Sequence, residues 1–362
     1  LGAVEVSRTL GSRSGEPAPA AGAWKILVSL VLTVPVLVVF GSLLAEADPL
    51  LERFVDGVFS WQPPELLGHA VLIVVSGWLA LGWLGLMVHP PRRTEGVRYR
   101  PPILLGSLEV AIPLGVLAFL LAAFVGLQGR YLFGGEEVLR STGLSYAEFA
   151  RRGFFELVAV AGFGVPLLCL AQWVLDRGAA GAVESFRALV AVLGLLIGLV
   201  MVSALGRMHL YVAAYGLTEA RVYAASFMCW IAVVLGWFAF TELRGHQERF
   251  VTGAVVAGFA VLAVLNFVNP DGLVAGVNLA RAGSGRSLDA EYLSQLSPDA
   301  VPAVVAAWAD LEKGVRCELQ ASLLARVQPV SDWRQWNLGM ARAARVVRTV
   351  APEAGCGQPT SG

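Results

Sequence analysis

Seven runs of roughly 18 to 20 apolar residues recur along the chain, each long enough for an α-helix to cross the hydrocarbon core of a bilayer. They fall at about Ile26–Ala45, Ala70–Val88, Val110–Leu127, Leu157–Leu175, Ala188–Gly206, Val222–Thr241 and Phe250–Val268. The pattern predicts an all-α integral membrane protein, a bundle of about seven transmembrane helices. Pro35, Pro113 and Pro166 lie inside runs and predict kinks that neighbouring helices can tolerate. Gly194 and Gly198 have the spacing of a small-residue helix-packing motif. After Asp271 the chain turns polar while keeping helical periodicity. Leu273–Ala282 predicts a helix, Gly283-Ser284-Gly285 a linker, and Ser287 a cap for a short helix over Leu288–Leu296. Ser297-Pro298-Asp299 is a helix start, with a capping serine, proline in the first turn and an acid at the positive dipole end. Ser331-Asp332 opens a last predicted helix that carries Trp333, Trp336, Arg334, Arg342, Arg345 and Arg348, a composition suited to a membrane surface. A solvated helix packed on its neighbours is the plainer reading. The expected domains are a disordered segment 1–23, a transmembrane bundle 24–268, an extramembrane helical tail 269–350 and a disordered end 351–362.

Composition agrees with the periodicity. Only 15% of the 362 residues are charged, against about 25% in soluble domains, and mean hydropathy is +0.67. Net charge is zero, so no global field draws the chain to nucleic acid. The first residue is Leu1, which suggests an internal start with further spans before it. The 1–23 segment does not resemble a signal peptide, because the first apolar run is long enough to span.

Loop charge sets the expected orientation. The loop from Glu46 to about Leu67 has Arg53 against Glu46, Asp48, Glu52, Asp56 and Glu65, whereas the next loop carries Arg92, Arg93, Arg98 and Arg100. That contrast puts the N-terminus in the cytoplasm and the tail outside. The third loop, with Arg130, Arg140, Arg151 and Arg152, weakens the bias. Either way, alternation of spans brings the unusual polar residues to one face: Tyr131–Gly135, Ser145–Glu156, Arg207-Met208-His209, Tyr211–Arg221 and Asn269-Pro270-Asp271.

Within that face, Ser145 and Glu148 have capping-box spacing, followed by Arg151, Arg152, Glu156 and then 19 uncharged residues, Leu157–Leu175. The candidate ligand-binding set is Arg151, Arg152, Glu156, Arg207, His209, Arg221 and Asp271. Charges in or near spans pair, line a cavity or hold a ligand, and arginine forks suit a phosphate. An anionic lipid or another membrane protein is the expected partner besides the bilayer itself. The plainer reading pairs Glu156 with Arg152 and lets the other arginines reach headgroups. Glu109, early in the third run, is an intramembrane polar site fit for proton coupling, or an interfacial carboxylate partnered by Arg98 or Arg100. Arg207, Tyr211 and Tyr215 share a helix face at spacing of four.

Enzyme signals are sparse. His69, His89, His209 and His246 are scattered without metal spacing, and no phosphate loop or nucleophile motif is present, so no metal or cofactor is expected. Asp48, after the first span, sits where some polyprenyl-linked transferases place an acid. Cys169 and Cys229 lie in apolar runs. Cys317 and Cys356 lie in the tail and can pair if it faces an oxidising compartment.

These stretches together resemble a bacterial multi-pass membrane family of unknown function, DUF4153/DUF4173. The resemblance rests on Tyr131–Gly135, Gly143–Ala161, Tyr211–Arg221 with Phe227–Gly245, Asn269–Arg281, Leu288–Pro302 and Asp332–Leu338. It implies architecture and no activity. The expected function is a non-enzymatic cell-envelope protein that binds a lipid or protein partner through its arginine-rich face. A transporter or channel built on Glu109 is the alternative, and a lipid-linked transferase using Asp48 the third.

Overall fold

The computed structural model describes residues 19–48, 51, 104–142, 153–327, 334, 337–350 and 356. Among them there is no named strand, only one isolated bridge between Leu105 and Leu175. Helices account for the rest of the regular structure. In chain order they are α1 (Pro19–Ala47), α2 (Ser107–Thr142), α3 (Phe154–Val174), α4 (Ala182–Tyr215), α5 (Glu219–Arg244) and α6 (Phe250–Val268). The tail adds α7 (Pro270–Gly283), α8 (Ala290–Gln295), α9 (Val301–Ala306), α10 (Lys313–Ala321) and α11 (Leu338–Val347).

Six of these helices, α1 to α6, are long and apolar enough to cross a membrane. The second predicted run, Ala70–Val88, lies outside the described residues. Two spans outrun their apolar runs the furthest. α2 continues from Ser107 to Thr142 through Tyr131–Gly135, and α4 runs from Ala182 to Tyr215, taking in Arg207 and His209. Pro35, Pro113 and Pro166 lie within continuous helices α1, α2 and α3.

Contacts divide the chain into two compact units, one of residues 1–138 and 166–197, the other of 139–165 and 198–362. In the first unit, the strand-like approach to α2 lies along the end of α3: Leu105 donates its N–H to the Val174 carbonyl (2.8 Å) and accepts from Asp176 N–H (2.8 Å). In α1, Ser29 and Thr33 are buried and turn their hydroxyls onto the carbonyls of Lys25 and Ser29, both at 2.7 Å. That back-bonding satisfies the hydroxyls within their own helix, where lipid offers no partner.

The second unit has two kinds of core. In its membrane part, α5 and α6 form a hairpin whose turn is closed by Gly245 in the left-handed conformation (φ 74°), with its amide and that of His246 bonded to Glu242 and Thr241 carbonyls. Trp230 and Trp237, two turns apart on α5, lie over Gly258 and Gly253 of α6. Their indole N–H groups donate to the carbonyls of Ala254 (3.4 Å) and Arg249 (3.2 Å). Small residues therefore admit two large rings, and each ring brings its own polar atom to a backbone acceptor. Among the described residues, a Cβ added at Gly194 or Gly198 would meet nothing within 4 Å, so that motif makes no close contact with the described helices. α6 has no buried residue; it exposes Val251, Phe259 and Phe267, with Thr252 and Asn266 as exposed polar residues on the same helix.

The extramembrane part packs around Val274, Ala275, Leu279, Leu293, Leu296, Val301, Val304, Leu319, Leu323 and Ala343, joined by Val222 of α5. Each fully buried Leu or Val contributes about 1.5 to 3 kcal/mol relative to exposure. Local capping sets the short helices. Asp289, not Ser287, caps α8 by accepting from the Tyr292 amide at 2.9 Å. Ser297 caps the 3-10 turn Pro298–Ala300 that leads into α9. The last helix begins at Leu338, capped by Asn337. It buries Ala343 and packs Val346 and Val347 on the tail core, while Arg342, Arg345 and Arg348 stay exposed. Its apolar face is thus occupied by protein. Cys317 and Cys356 form a disulfide with Cα atoms 5.2 Å apart, closing a loop of sequence separation 39.

Gly253→Val is expected to destabilise the α5–α6 hairpin by about 1 to 3 kcal/mol, because the rigid Trp237 indole occupies the space its side chain needs. A lowered unfolding temperature in detergent checks this, with Gly194→Val as the neutral control.

Candidate functional site

A helix ends with four carbonyls that lack intrahelical partners, and at the end of α4 these lie where the chain turns sharply into α5. Gly216 makes the turn possible: its φ is +86°, and a Cβ there would lie 2.5 Å from Asn278 Oδ1 and 2.7 Å from an Arg281 nitrogen. Only a glycine admits both the backbone conformation and that approach.

The partners for the turn come from α7, some sixty residues on. Arg281 Nη2 donates to the carbonyls of Ala214 (2.9 Å) and Ala213 (3.3 Å). A cation at a helix C-terminus also meets the negative end of the dipole. Asn278 makes a two-way pair with Leu217, donating Nδ2 to its carbonyl (2.8 Å) and accepting its amide on Oδ1 (2.8 Å). Arg221, in the first turn of α5, donates to the Gly216 carbonyl. Its guanidinium lies 4.1 Å above the centre of the Tyr211 ring, and Tyr211 meets Tyr215 edge to face at 4.9 Å.

The start of α7 completes the joint. Asn269 sits in the left-handed region (φ 54°) between α6 and α7, and its side chain accepts from the Gly272 amide at 3.2 Å. Pro270 follows in the first turn, where its missing N–H costs nothing. Asp271 accepts the Ser297 amide on Oδ2 at 3.0 Å. The Glu219 amide donates to Tyr292 Oη at 3.0 Å. Burial, as the largest cause, pushes the Tyr292 phenol up from its ordinary value; the Glu219 and Asp271 charges add to this, while the hydrogen bond to Glu219 and the charge of Arg221 oppose it.

The structure thus brings Arg221 and Asp271 into one assembly and uses both inside the protein. Arg207 is buried within α4 at 3% exposure, His209 on the same helix is exposed, and Glu156 is half-buried in the first turn of α3. Arg151 and Arg152 lie outside the described residues. Asn278, Arg281, Glu219 and Tyr292 were not singled out from sequence. The i, i+3 spacing of Asn278 and Arg281 on an amphipathic helix was the available signal, since it places an amide and a guanidinium on one face.

Glu109, in the first turn of α2, is only 9% exposed, and its Oε2 has no hydrogen-bond partner among the described residues. The carboxyl folds back over Gly106, where a Cβ would come within 2.7 Å of Oε2. Ser29 of α1 is a neighbour, with its hydroxyl 3.4 Å from the Leu108 carbonyl. Arg98 and Arg100 lie outside the described residues. Asp48 is buried at the end of α1. No group of three or more His, Cys, Asp or Glu with metal-binding geometry occurs among the described residues.

Six helices long and apolar enough to cross a membrane, with no named strand among the described residues, define an all-α membrane protein. Residues 8–307 match the model of the domain of unknown function DUF4153, a span that includes every residue of the joint. The chain belongs to that family. No curated protein and no solved structure matches it.

Replacing Asn278 by alanine leaves both backbone groups of Leu217 without their partner and is expected to cost about 2 to 6 kcal/mol, from the unsatisfied-group penalty of about 1 to 3 kcal/mol each. Arg281→Ala should act in the same direction. Lowered unfolding temperature together with faster amide exchange in 213–219 is the check; unchanged exchange there would show that the turn does not depend on α7.

Proposed function

We propose that the protein is a non-enzymatic multi-pass protein of the bacterial cell membrane that binds an anionic lipid or a membrane-protein partner in a regulatory role. The observation that carries this reading is the joint itself: charged side chains at one end of α4 and α5 tie a folded extramembrane unit to the membrane helices. Such a construction suits a protein that passes a binding event between a surface domain and its spans. In the sequence Arg151 and Arg152 precede Glu156, which is half-buried at the start of α3, and His209 is exposed on α4. With Arg221 committed to Gly216, we assign a phosphate headgroup to Arg151 and Arg152.

From the loop charges we infer an N-terminus in the cytoplasm and a tail outside. The Cys317–Cys356 pairing supports that orientation, because disulfides persist in oxidising compartments. By chain entropy, closing that loop is worth about 4 kcal/mol. A membrane-impermeant maleimide applied to intact cells should label Cys317 and Cys356 only after reduction. Labelling without reduction, or only after the membrane is opened, would reverse or remove the assignment.

Glu109 favours a second reading, transport. A buried carboxylate oxygen without a hydrogen-bond partner is costly in a membrane helix and marks ion or proton pathways. Native mass spectrometry of the detergent-purified protein separates the two. A discrete anionic-lipid adduct is expected on the wild type and on Glu109→Gln, and is expected to be lost from Arg151→Ala/Arg152→Ala. No adduct on any form returns the arginines to headgroup anchoring. Loss of cellular function on Glu109→Gln, with none on the arginine variant, selects transport.

A further inference from the structure

Charge is unevenly laid out along the extramembrane part. Residues 289–318 hold Asp289, Glu291, Asp299, Asp310, Glu312 and Glu318 against Lys313 and Arg316, whereas 333–352 holds four arginines and no acid. Three of those four, Arg342, Arg345 and Arg348, stand on α11, and all three are exposed. At about 3.6 residues per turn they share one side of the helix with Leu338, which is itself 50% exposed. The opposite side, with Ala343, Val346 and Val347, is packed on the tail core. The helix is pinned at both ends. Asn337 caps its start by accepting the Met340 amide, and the Cys317–Cys356 disulfide ties down the chain beyond its end. Among the described residues no carboxylate pairs with any of the three guanidiniums. Like charges one turn apart on a helix repel each other, so a fixed stripe of this kind gains when an anion meets it.

We propose that this side of α11 is a docking surface for the anionic phospholipid headgroups of the leaflet from which α6 emerges. Charge complementarity names the partner. Guanidinium forks bond phosphate oxygens in pairs, and Leu338 beside them is an apolar side chain suited to the headgroup–acyl boundary. The fold keeps the surface near that partner. One residue, Asn269, separates α6 from α7, and Asn278 and Arg281 fasten α7 to the α4–α5 turn. α11 packs on α9 and on the Pro298–Ala300 turn, both of which pack on α7. With packed helices about 8 to 10 Å apart, α11 stays within about 20 Å of α7. Because its apolar side is already covered by protein, α11 meets the membrane by charge and not by insertion, and its hold weakens with salt. The surface is separate from Arg151 and Arg152, and its docking is independent of what that pair binds.

Arginine footprinting of the full wild-type chain tests it without any substitution in α11. Phenylglyoxal, an uncharged reagent that modifies guanidinium groups, is applied to the protein in nanodiscs of phosphatidylcholine and in nanodiscs of equal parts phosphatidylcholine and phosphatidylglycerol. Mass spectrometry reads the modification of each arginine, and free acetyl-arginine in the same samples corrects for reagent activity. Modification of Arg342, Arg345 and Arg348 should fall severalfold in the anionic discs. It should return at about 1 M salt, where the screening length is about 3 Å. Equal modification in the two lipids overturns the proposal, and so does protection in the anionic discs that persists at high salt. Arg151→Ala/Arg152→Ala should keep the protection on α11 even where it loses a lipid adduct, so failure at one surface is distinguishable from failure at the other. Protection on α11 that disappears in that variant also overturns the proposal.

Discussion

The backbone at the end of a membrane helix cannot be left unsatisfied, and at the α4–α5 turn that constraint is met by side chains from a distant segment. The carbonyls of Ala213, Ala214 and Leu217 receive donors from Arg281 and Asn278. Much of what distinguishes this end of the molecule follows from that arrangement. Gly216 is needed for the approach, α7 must run where its i, i+3 pair can reach, and Val222 joins the extramembrane core because α7 is held beside it. A tail attached only through α6 would have one covalent connection; here it has a set of directed bonds as well.

The two halves of the second unit obey different solvents. Between α5 and α6 there is no hydrophobic drive, since lipid is as apolar as the side chains, so packing depends on shape: indole rings set over glycines. In the tail, water supplies the drive, and helices of six to fourteen residues suffice because their apolar faces meet in one core. α11 shows the difference. Its tryptophan- and arginine-containing segment reads as an interfacial helix, yet Ala343, Val346 and Val347 face protein, while the arginines face out.

The spans were legible because twenty apolar residues in a row have few other uses, and the family resemblance was carried by several short motifs in a fixed order. Helix ends were less so. α4 outruns its apolar stretch because Arg207, His209 and Tyr211 continue a helix that hydropathy alone would stop. Arg221 and Asp271 stood out as charges beside spans. Their partners did not, because Asn278, Arg281 and Tyr292 look like ordinary surface residues of a polar helix until the chain folds them back. Sequence distance conceals such pairs; only the amphipathic face of α7 hinted that something would be packed against it.

The bond between Asn278 and Leu217 spans 61 positions of the chain, and this has a consequence for the order of assembly. A ribosome that has just delivered the α4–α5 hairpin has not yet made the residues that close its turn. Until α7 emerges, the carbonyls of Ala213, Ala214 and Leu217 must be served by water at the membrane surface. The hairpin therefore enters the bilayer unfinished and is completed from outside, after α6 has followed it. Biogenesis of the two regions is coupled in time: a chain truncated between α6 and α7 would carry its spans but lack the clasp that finishes them.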